Sequence, residues 1–555
     1  MLERLKPHLD RLLIVVIFLV LSASTLLWTL EDKTPPSWDP SDHIRAAYDY
    51  YRALAHLDFA GFHHEFFVKT HHYPPLVHLV TALVFLITGA SRLTGIIVNL
   101  ISLAVLLASI NWIDRLLYPA EPRAISPGVL AALLSVCYHF TAWLLHDAFL
   151  DYPLTAIVTL SFALLIRAGD FQERRAALWF GVSAGLGMLT KQTFAFFMLL
   201  PSLYAVVGVL RSRDRKAIIN LALAIVVALA VAAIWYGPHL KDVIDIYRIN
   251  REGAVNENEA PLFSFMSNAF YMHSLLSHQI QVPLAALFLL GLGWSLARFR
   301  SESVMLYLWI LSGIGLFSLI ANKDIRYSVP VLPAVALISV CWMRAKRLKA
   351  EPPNKISRAL KPALAACFAA WALVSFFNAQ WPRDGAGYYI DTPRFRWMVF
   401  ARNYYGFDRR PLPDGWGVTE TVQTLIDLNP SIKARFDGNP AGEEVTLGVA
   451  VNLPYLNPSS LMLYSRLMAP ERAGPPLLKI DFLVSESARD RVEKCDYILV
   501  RTGLDRAEWT APLERYVERL IRDNPSRFMR VAAFPIPLEE AEAVIYKCGG
   551  QVSEK

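Results

Sequence analysis

Apolar runs that approach or reach the length of a bilayer crossing recur along the first 380 residues of the chain, at 11–30, 74–90, 93–113, 125–145, 150–167, 176–190, 192–210, 217–237, 281–297, 303–321, 327–343 and 362–380. A helix needs about 20 apolar residues to span a hydrocarbon core, where every backbone polar group must be bonded internally, so runs of this kind fold as helices. With 54% hydrophobic and 19% charged residues among 555, a soluble multidomain enzyme is excluded. The net charge of +7 would point to nucleic acid in a soluble protein, but its distribution argues otherwise. Residues 1–379 hold 32 Lys and Arg against 24 Asp and Glu, whereas residues 380–555 hold 23 against 24. The basic excess therefore belongs to the membrane part, and nucleic acid is not an expected partner. The expected architecture is a mainly α polytopic membrane domain over 1–380 and a soluble α/β domain over 381–555.

Lys and Arg collect in cytoplasmic loops. The dense clusters are Arg4/Lys6/Arg11, Arg115/Arg123, Arg167/Arg174/Arg175, Arg211/Arg213/Arg215/Lys216, Arg298/Arg300 and the run from Arg344 to Lys361. The first apolar run follows one such cluster and has no small-x-small cleavage site before Pro35, so it is expected to stay as an anchor. If all clusters are inside, twelve crossings cannot be threaded, because two apolar runs separate the outer residues 31–73 from Arg115. The run 74–90 is short, opens with Pro74-Pro75 and contains His78, so it is expected to lie in the plane of the membrane or re-enter it. About eleven transmembrane helices plus in-plane helices result, with the N-terminus cytoplasmic and the C-terminal domain periplasmic in a bacterial inner membrane. The polar loops 31–92, 146–151, 238–280 and 322–326 then share the outer face.

The first of these segments reads WDPSDHIRAAYDYYRALAHLDF, in which Ile44, Ala47, Tyr48, Tyr51 and Leu54 recur at helical spacing, so an amphipathic helix lying on the membrane by one face is expected. Asp39 before Pro40 is an N-cap arrangement, and Asp42 three positions on could complete a capping box or serve as a general base. His63-His64 and His71-His72 could ligate metal, but the companion spacing of a zinc motif is absent, so no metal and no cofactor is indicated. Tyr73-Pro74-Pro75 forms a rigid extended turn. Asp147 and Asp151 in HDAFLDYP lie at the outer interface, where Asp151 could cap the next helix. Lys191 in GLGMLTKQ, and Lys323 and Arg326 in NKDIRYSVPVLP, are cations on the face where the positive-inside bias disfavours them. An anionic ligand accounts for all three, and phosphate suits them because Arg binds it bidentately and Lys as a point charge.

In their order, Asp42-His43 with the helix after it, Tyr73 to Leu76, Asp151 to Leu154, Gly185 to Lys191 and Arg326 to Pro333 resemble the GT-C superfamily of integral-membrane glycosyltransferases. The resemblance is to the branch of protein O-mannosyltransferases and lipid A aminoarabinose transferases. It covers residues 38–333 and the terminal soluble domain. It implies transfer of a monosaccharide, hexosyl or pentosyl, from a polyprenyl-phosphate donor to a lipid, glycan or protein acceptor of the envelope, lipopolysaccharide included. It further implies Asp42 as general base with Asp151 beside it in catalysis, and Lys191, Lys323, Arg326 and Tyr327 as the donor-phosphate site. Asp39, His43, His72, Tyr73 and Asp147 would line the substrate. His43, and His72-Tyr73 before the two prolines, depart from the branch's pattern and leave sugar and acceptor open. The alternative is a transporter or flippase of lipid-linked glycans, against which stand the absence of an internal repeat and the clustering of polar groups on one face.

After Gln380 the pattern turns to short apolar runs at 445–451, 478–484, 496–502, 529–534 and 543–548, with helical stretches near 457–468 and 511–523, which is the signature of a small α/β domain. No phosphate loop or catalytic triad order is visible there, so a docking or lid module is expected. Cys495 and Cys548 each border an expected strand on the oxidising side and could pair as a disulfide.

Overall fold

A computed structural model of the chain describes residues 2–69, 72–118, 126–256, 259–298, 301–344, 355–384, 387–401, 409–437, 444–469, 477–483, 486–502, 511–537 and 540–549. His71, Arg123, Arg300 and residues 345–354 lie outside them. The chain is mainly helical, with a C-terminal domain that contains a sheet. Among the described residues six helices are long and apolar enough to cross a membrane: Leu9–Glu31, Arg92–Leu117, Phe194–Ser212, Arg215–Ala254, Ile325–Arg344 and Leu360–Gln380. A seventh is added if Phe265–Gln279 and Gln281–Ala297, bent by 114° at their junction, count as one span. Gln281 at that bend is fully buried with φ +63°, an uncommon conformation for a residue with a Cβ.

Other expected runs are shorter or broken. The run 74–90 is a helix over Leu76–Thr88 of 13 residues, about 20 Å at 1.5 Å per residue, which is short of a ~30 Å hydrocarbon core. The run 125–145 divides at Tyr138 into Pro127–Cys137 and His139–Leu144, because Tyr138 takes ψ 137°. Ser126 caps the first piece, accepting the Gly128 N–H, with Pro127 at the first helical position, where its missing N–H costs nothing. The polar stretch from 238 was expected as a loop, yet the helix Arg215–Asn256 runs into it for 42 residues in all. Pro238 lacks the N–H that would continue the ladder, and His239 at φ −106°, ψ 15° takes up the kink. His239 is anchored there by Asp242 (2.9 Å), the Phe66 carbonyl (2.8 Å) and stacking on Trp235.

The chain forms two compact units. The first comprises Met1–Trp28, Ala60–Val80 and Ile96–Arg410. Its core is a continuous cluster of fully buried side chains such as Leu106, Phe162, Phe197, Trp309 and Val335. Small residues set its closest approaches. A Cβ on Gly181 would stand 2.5 Å from the Ala224 carbonyl, and one on Gly185 2.9 Å from the Ala228 carbonyl, so this face of the helix Arg174–Thr190 lies directly on Arg215–Asn256. Two cations read above as cytoplasmic markers are in ion pairs: Arg115 meets Asp10 at 2.9 Å, and Arg344 is buried against Asp114. The unit also carries an antiparallel hairpin of β1 (Tyr388–Asp391) and β2 (Arg396–Phe400) that the sequence reading did not anticipate.

The second unit comprises Thr29–Phe59, Thr81–Gly95 and Pro411–Lys555. All five expected strands form: β3 (Thr446–Val449), β4 (Lys479–Phe482), β5 (Tyr497–Arg501), β6 (Phe528–Pro535) and β7 (Glu542–Cys548). Their order is β4-β3-β5-β7-β6, parallel across β4, β3 and β5 and antiparallel across β5, β7 and β6. β5 is buried along its whole length, as the middle strand of a covered sheet should be. Leu513, Val517 and Leu520 on the helix Ala511–Asp523 recur at i, i+4 and i+7 and pack onto the sheet core with Val492, Ile498 and Val544. Cys495 and Cys548 are both free thiols in this core, so the disulfide is not formed. Burial raises their pKa values, to about 12 for Cys495 and about 11 for Cys548.

Candidate active site

Asp151 is the first residue of the helix Asp151–Arg167, and Lys191 follows the last residue of Arg174–Thr190. An acid at a helix N-terminus and a cation at a C-terminus each complement the helix dipole. The two ends meet, and Lys191 Nζ lies 2.7 Å from Asp151 Oδ1 with side-chain exposures of 8% and 2%. Asp151 was expected as a possible N-cap, but Leu150 holds that position and the carboxylate is turned to the lysine. Gly187 makes room next to this pair, since a Cβ there would collide with the Phe194 ring.

Lys191 also borders a cavity of about 500 Å³ lying wholly within the first unit. Gln192, Thr193, Tyr73, Tyr327, Tyr247, Asn250, Arg251 and Asn322 supply polar lining, and Ile246, Leu262, Phe317, Leu319, Ile320 and Ala321 an apolar wall. Lys191 Nζ is 5.2 Å from the Tyr327 ring centre, and Tyr327 stacks on Phe317. Gln192 Nε2 donates to the His72 carbonyl at 3.3 Å, which ties the Tyr73 turn to the Lys191 turn. With Lys191 balanced by Asp151, Arg251 makes the charge of the lining net positive. A volume of this size, part apolar and part cationic, suits an amphiphile with an anionic head.

Three other expected residues of this unit lie outside the lining. Lys323 Nζ donates to the carbonyls of Phe317 (3.1 Å) and Ser318 (2.9 Å), closing the C-terminus of the helix Ser301–Ser318, and burial lowers its pKa. Arg326 pairs with Asp324 at 2.7 Å and covers the Phe149 ring, one residue from Tyr327. The Asp147 carboxylate accepts the Ala148 N–H, and its carbonyl takes the Asn99 amide at 2.6 Å.

Asp39, Asp42 and His43 belong to the second unit. Their helix runs Trp38–Ala55 with Ser37, not Asp39, at the N-cap. Ser41 N–H closes the first turn on the Ser37 carbonyl, and Pro40 sits among the first four positions, where no N–H is required. A helix lying on the membrane by one face was expected. Instead His43, Ile44, Ala46, Ala47, Tyr48, Asp49 and Tyr50 are all buried, and the helix Pro458–Leu467 packs alongside. Asp42 remains 40% exposed; its Oδ1 accepts Arg45 at 2.9 Å and its Oδ2 accepts the Ser459 hydroxyl at 3.0 Å. Asp39 is partly buried in the first turn.

Of the residues singled out in the sequence, Tyr73, Lys191 and Tyr327 meet at the cavity, with Asp151 behind Lys191 and His72 held to Gln192. Tyr247, Asn250, Arg251 and Asn322 were missed. Ile246, Tyr247, Asn250 and Arg251 fall at i, i+1, i+4 and i+5, a helical face that a periodicity test extended past Pro238 would have found. Among the described residues no three His, Cys, Asp or Glu side chains gather as a metal site would require.

The family described as dolichyl-phosphate-mannose-protein mannosyltransferase matches residues 72–236. An undecaprenyl phosphate-alpha-4-amino-4-deoxy-L-arabinose arabinosyl transferase of Pectobacterium atrosepticum is 22% identical over 244 residues, 42% of this chain and 42% of the relative. That of Aeromonas salmonicida is 25% identical over 246 residues, 41% of this chain and 42% of the relative. The alignments with these relatives thus cover less than half of their length. The crystal structure of ArnT from Cupriavidus metallidurans bound to undecaprenyl phosphate superposes with a TM-score of 0.55 at 16% identity, covering 97% of this chain and 99% of that one. The chain thus shares the fold of that membrane protein along nearly its whole length.

Proposed function

We propose that the chain is a polyprenyl-phosphate-sugar-dependent glycosyltransferase that moves a monosaccharide to an envelope acceptor on the periplasmic side of the bacterial inner membrane, with inversion at the anomeric carbon. The observation that carries this reading is the cavity, whose lining combines the cations Lys191 and Arg251 with apolar side chains such as Ile246, Leu262 and Leu319. The donor phosphate would meet the two cations and the tyrosine hydroxyls, and its isoprenoid chain the apolar wall. Relatives named for undecaprenyl-phosphate-linked sugar transfer support the choice of donor.

In the reaction the acceptor oxygen forms a bond to the anomeric carbon as the bond from that carbon to the phosphate oxygen breaks, and polyprenyl phosphate leaves with the electron pair. Fixed cations lower the barrier by meeting the charge that grows on the leaving phosphate. The acceptor proton passes to the partly exposed Asp42 carboxylate as general base. Asp151 acts through Lys191, holding the ammonium in place. Arg326 and Lys323 support this region from behind the lining.

The test is transfer of labelled sugar from a polyprenyl-phosphate donor in membranes. Asp42→Asn is expected to abolish transfer while donor binding persists, and Arg251→Ala to weaken donor binding by about tenfold or more. Full transfer by Asp42→Asn would remove the base assignment. Movement of intact donor across vesicles with no transfer would replace the enzyme by a flippase. For orientation, a reporter fused near Arg92 should read periplasmic, and a cytoplasmic reading would overturn the arrangement.

A further inference from the structure

The second unit holds Asp42 by a contact from a distant part of the chain. Ser459 donates its hydroxyl to Asp42 Oδ2 at 3.0 Å across 417 positions of sequence, while Arg45 Nη2 and Nε approach Oδ1 at 2.9 and 3.3 Å. Seven residues further along each helix, Asp49 Oδ1 faces Arg466 Nε at 3.8 Å, with the same separation of 417. Trp38 Nε1 donates to Asn452 Oδ1 at 2.7 Å near the start. The helices Trp38–Ala55 and Pro458–Leu467 therefore run side by side in a defined register, with polar rungs two turns apart.

Ser459 itself is pinned. Asn457 and Ser460 form a capping box, Pro458 occupies the first helical position, and the Asn457 amide donates to the carbonyls of Leu453 and Pro454. Asn457 and Ser460 are fully buried and Ser459 is 5% exposed. The cap is completed by its neighbours, so the Ser459 hydroxyl is left over for Asp42. A carboxylate gripped at both oxygens by fixed donors has its plane set, and reach and angle to the proton it accepts govern how well a base works.

We infer that Ser459 is a positioning residue for the Asp42 base, so that the C-terminal segment contributes to turnover through one hydroxyl. This rests on the assignment of Asp42 given under the proposed function. The test compares purified full-length wild type, Ser459→Ala, Ser459→Thr and Asp42→Asn for transfer from a polyprenyl-phosphate sugar. Alanine fits the space and favours a helix at least as well as serine, so the fold is retained, and the thermal midpoint monitors it. Ser459→Ala should lower kcat about tenfold with the donor KM within about twofold, the size expected for loss of one hydrogen bond to a charged group. Ser459→Thr, which keeps the hydroxyl, should recover most of kcat. Wild-type kcat in Ser459→Ala, beside an inactive Asp42→Asn, overturns the inference and leaves the base assignment standing. Equal loss in Ser459→Ala and Ser459→Thr also overturns it, by tracing the effect to packing. Full activity in Asp42→Asn removes the base assignment first and this inference with it.

Discussion

Lys191 both lines the cavity and neutralises the buried Asp151, so a substitution there acts on binding and on stability together. Breaking a buried pair by removing one partner costs about 3–5 kcal/mol, whereas replacing both partners by apolar groups can be neutral. Lys191→Met should therefore lower the thermal midpoint in detergent more than Lys191→Met combined with Asp151→Leu, and neither protein should transfer sugar. A double variant as unstable as the single one would show that the pair contributes net stability of its own. The thiols of Cys495 and Cys548, pushed up to about 12 and about 11 by burial, stay protonated at pH 8. Both should alkylate slowly in the folded protein and rapidly in denaturant, and fast labelling of the native state would contradict the burial. Legibility at this scale followed local chemistry. Lys191 was visible because a cation in a segment expected on the outer face breaks a membrane rule, and Asp42 because it recurs in a known pattern. Ser459 broke no rule, since its partner lies 417 positions away in sequence.

The helix Arg174–Thr190 shows how a motif can be read correctly in place and incompletely in cause. Gly185 and Gly187 belong to the GLGMLTK segment that drew attention to Lys191, yet Gly185, with Gly181 one turn earlier, serves the close approach to Arg215–Asn256 and Gly187 clears the Phe194 ring. Gly181→Ala should lower the thermal midpoint by several degrees, because its Cβ would meet a carbonyl that cannot move alone. Gly293→Ala, with open space around the added methyl inside the helix Gln281–Ala297, should leave it unchanged or raise it. Equal effects at the two positions would argue that helix propensity, not contact, decides. The five strands of the C-terminal domain were legible because each is a short apolar run between turn residues. The helix beyond Pro238 was not, because proline and a rising polar content were read as a loop where they mark a kink.

At the scale of the molecule, the second unit takes Thr29–Phe59 and Thr81–Gly95 into the same body as residues 411–555. Within it Lys33 N–H donates to the Leu412 carbonyl, Leu412 N–H donates to Asp32, and Arg92 pairs with Asp32. Residues 411–555 expressed alone should consequently melt at a lower temperature and bind more hydrophobic dye than the same segment joined by a linker to residues 29–59, since the covered side of the helix Pro458–Leu467 would be bare. Equal behaviour of the two would make the N-terminal helix a passenger. Sequence alone established a membrane-embedded helical chain with a basic excess in its apolar part, a C-terminal α/β domain and a short set of candidate acids and cations, because hydropathy, charge bias and strand length are local properties. It could not tell which of those charges meet. That Lys191 is balanced by Asp151, that Lys323 closes a helix end, and that Asp42 is held by a serine 417 positions away follows only from how the helices pack. Pairing of buried polar groups is settled by the whole fold, because each must find a partner wherever packing leaves one.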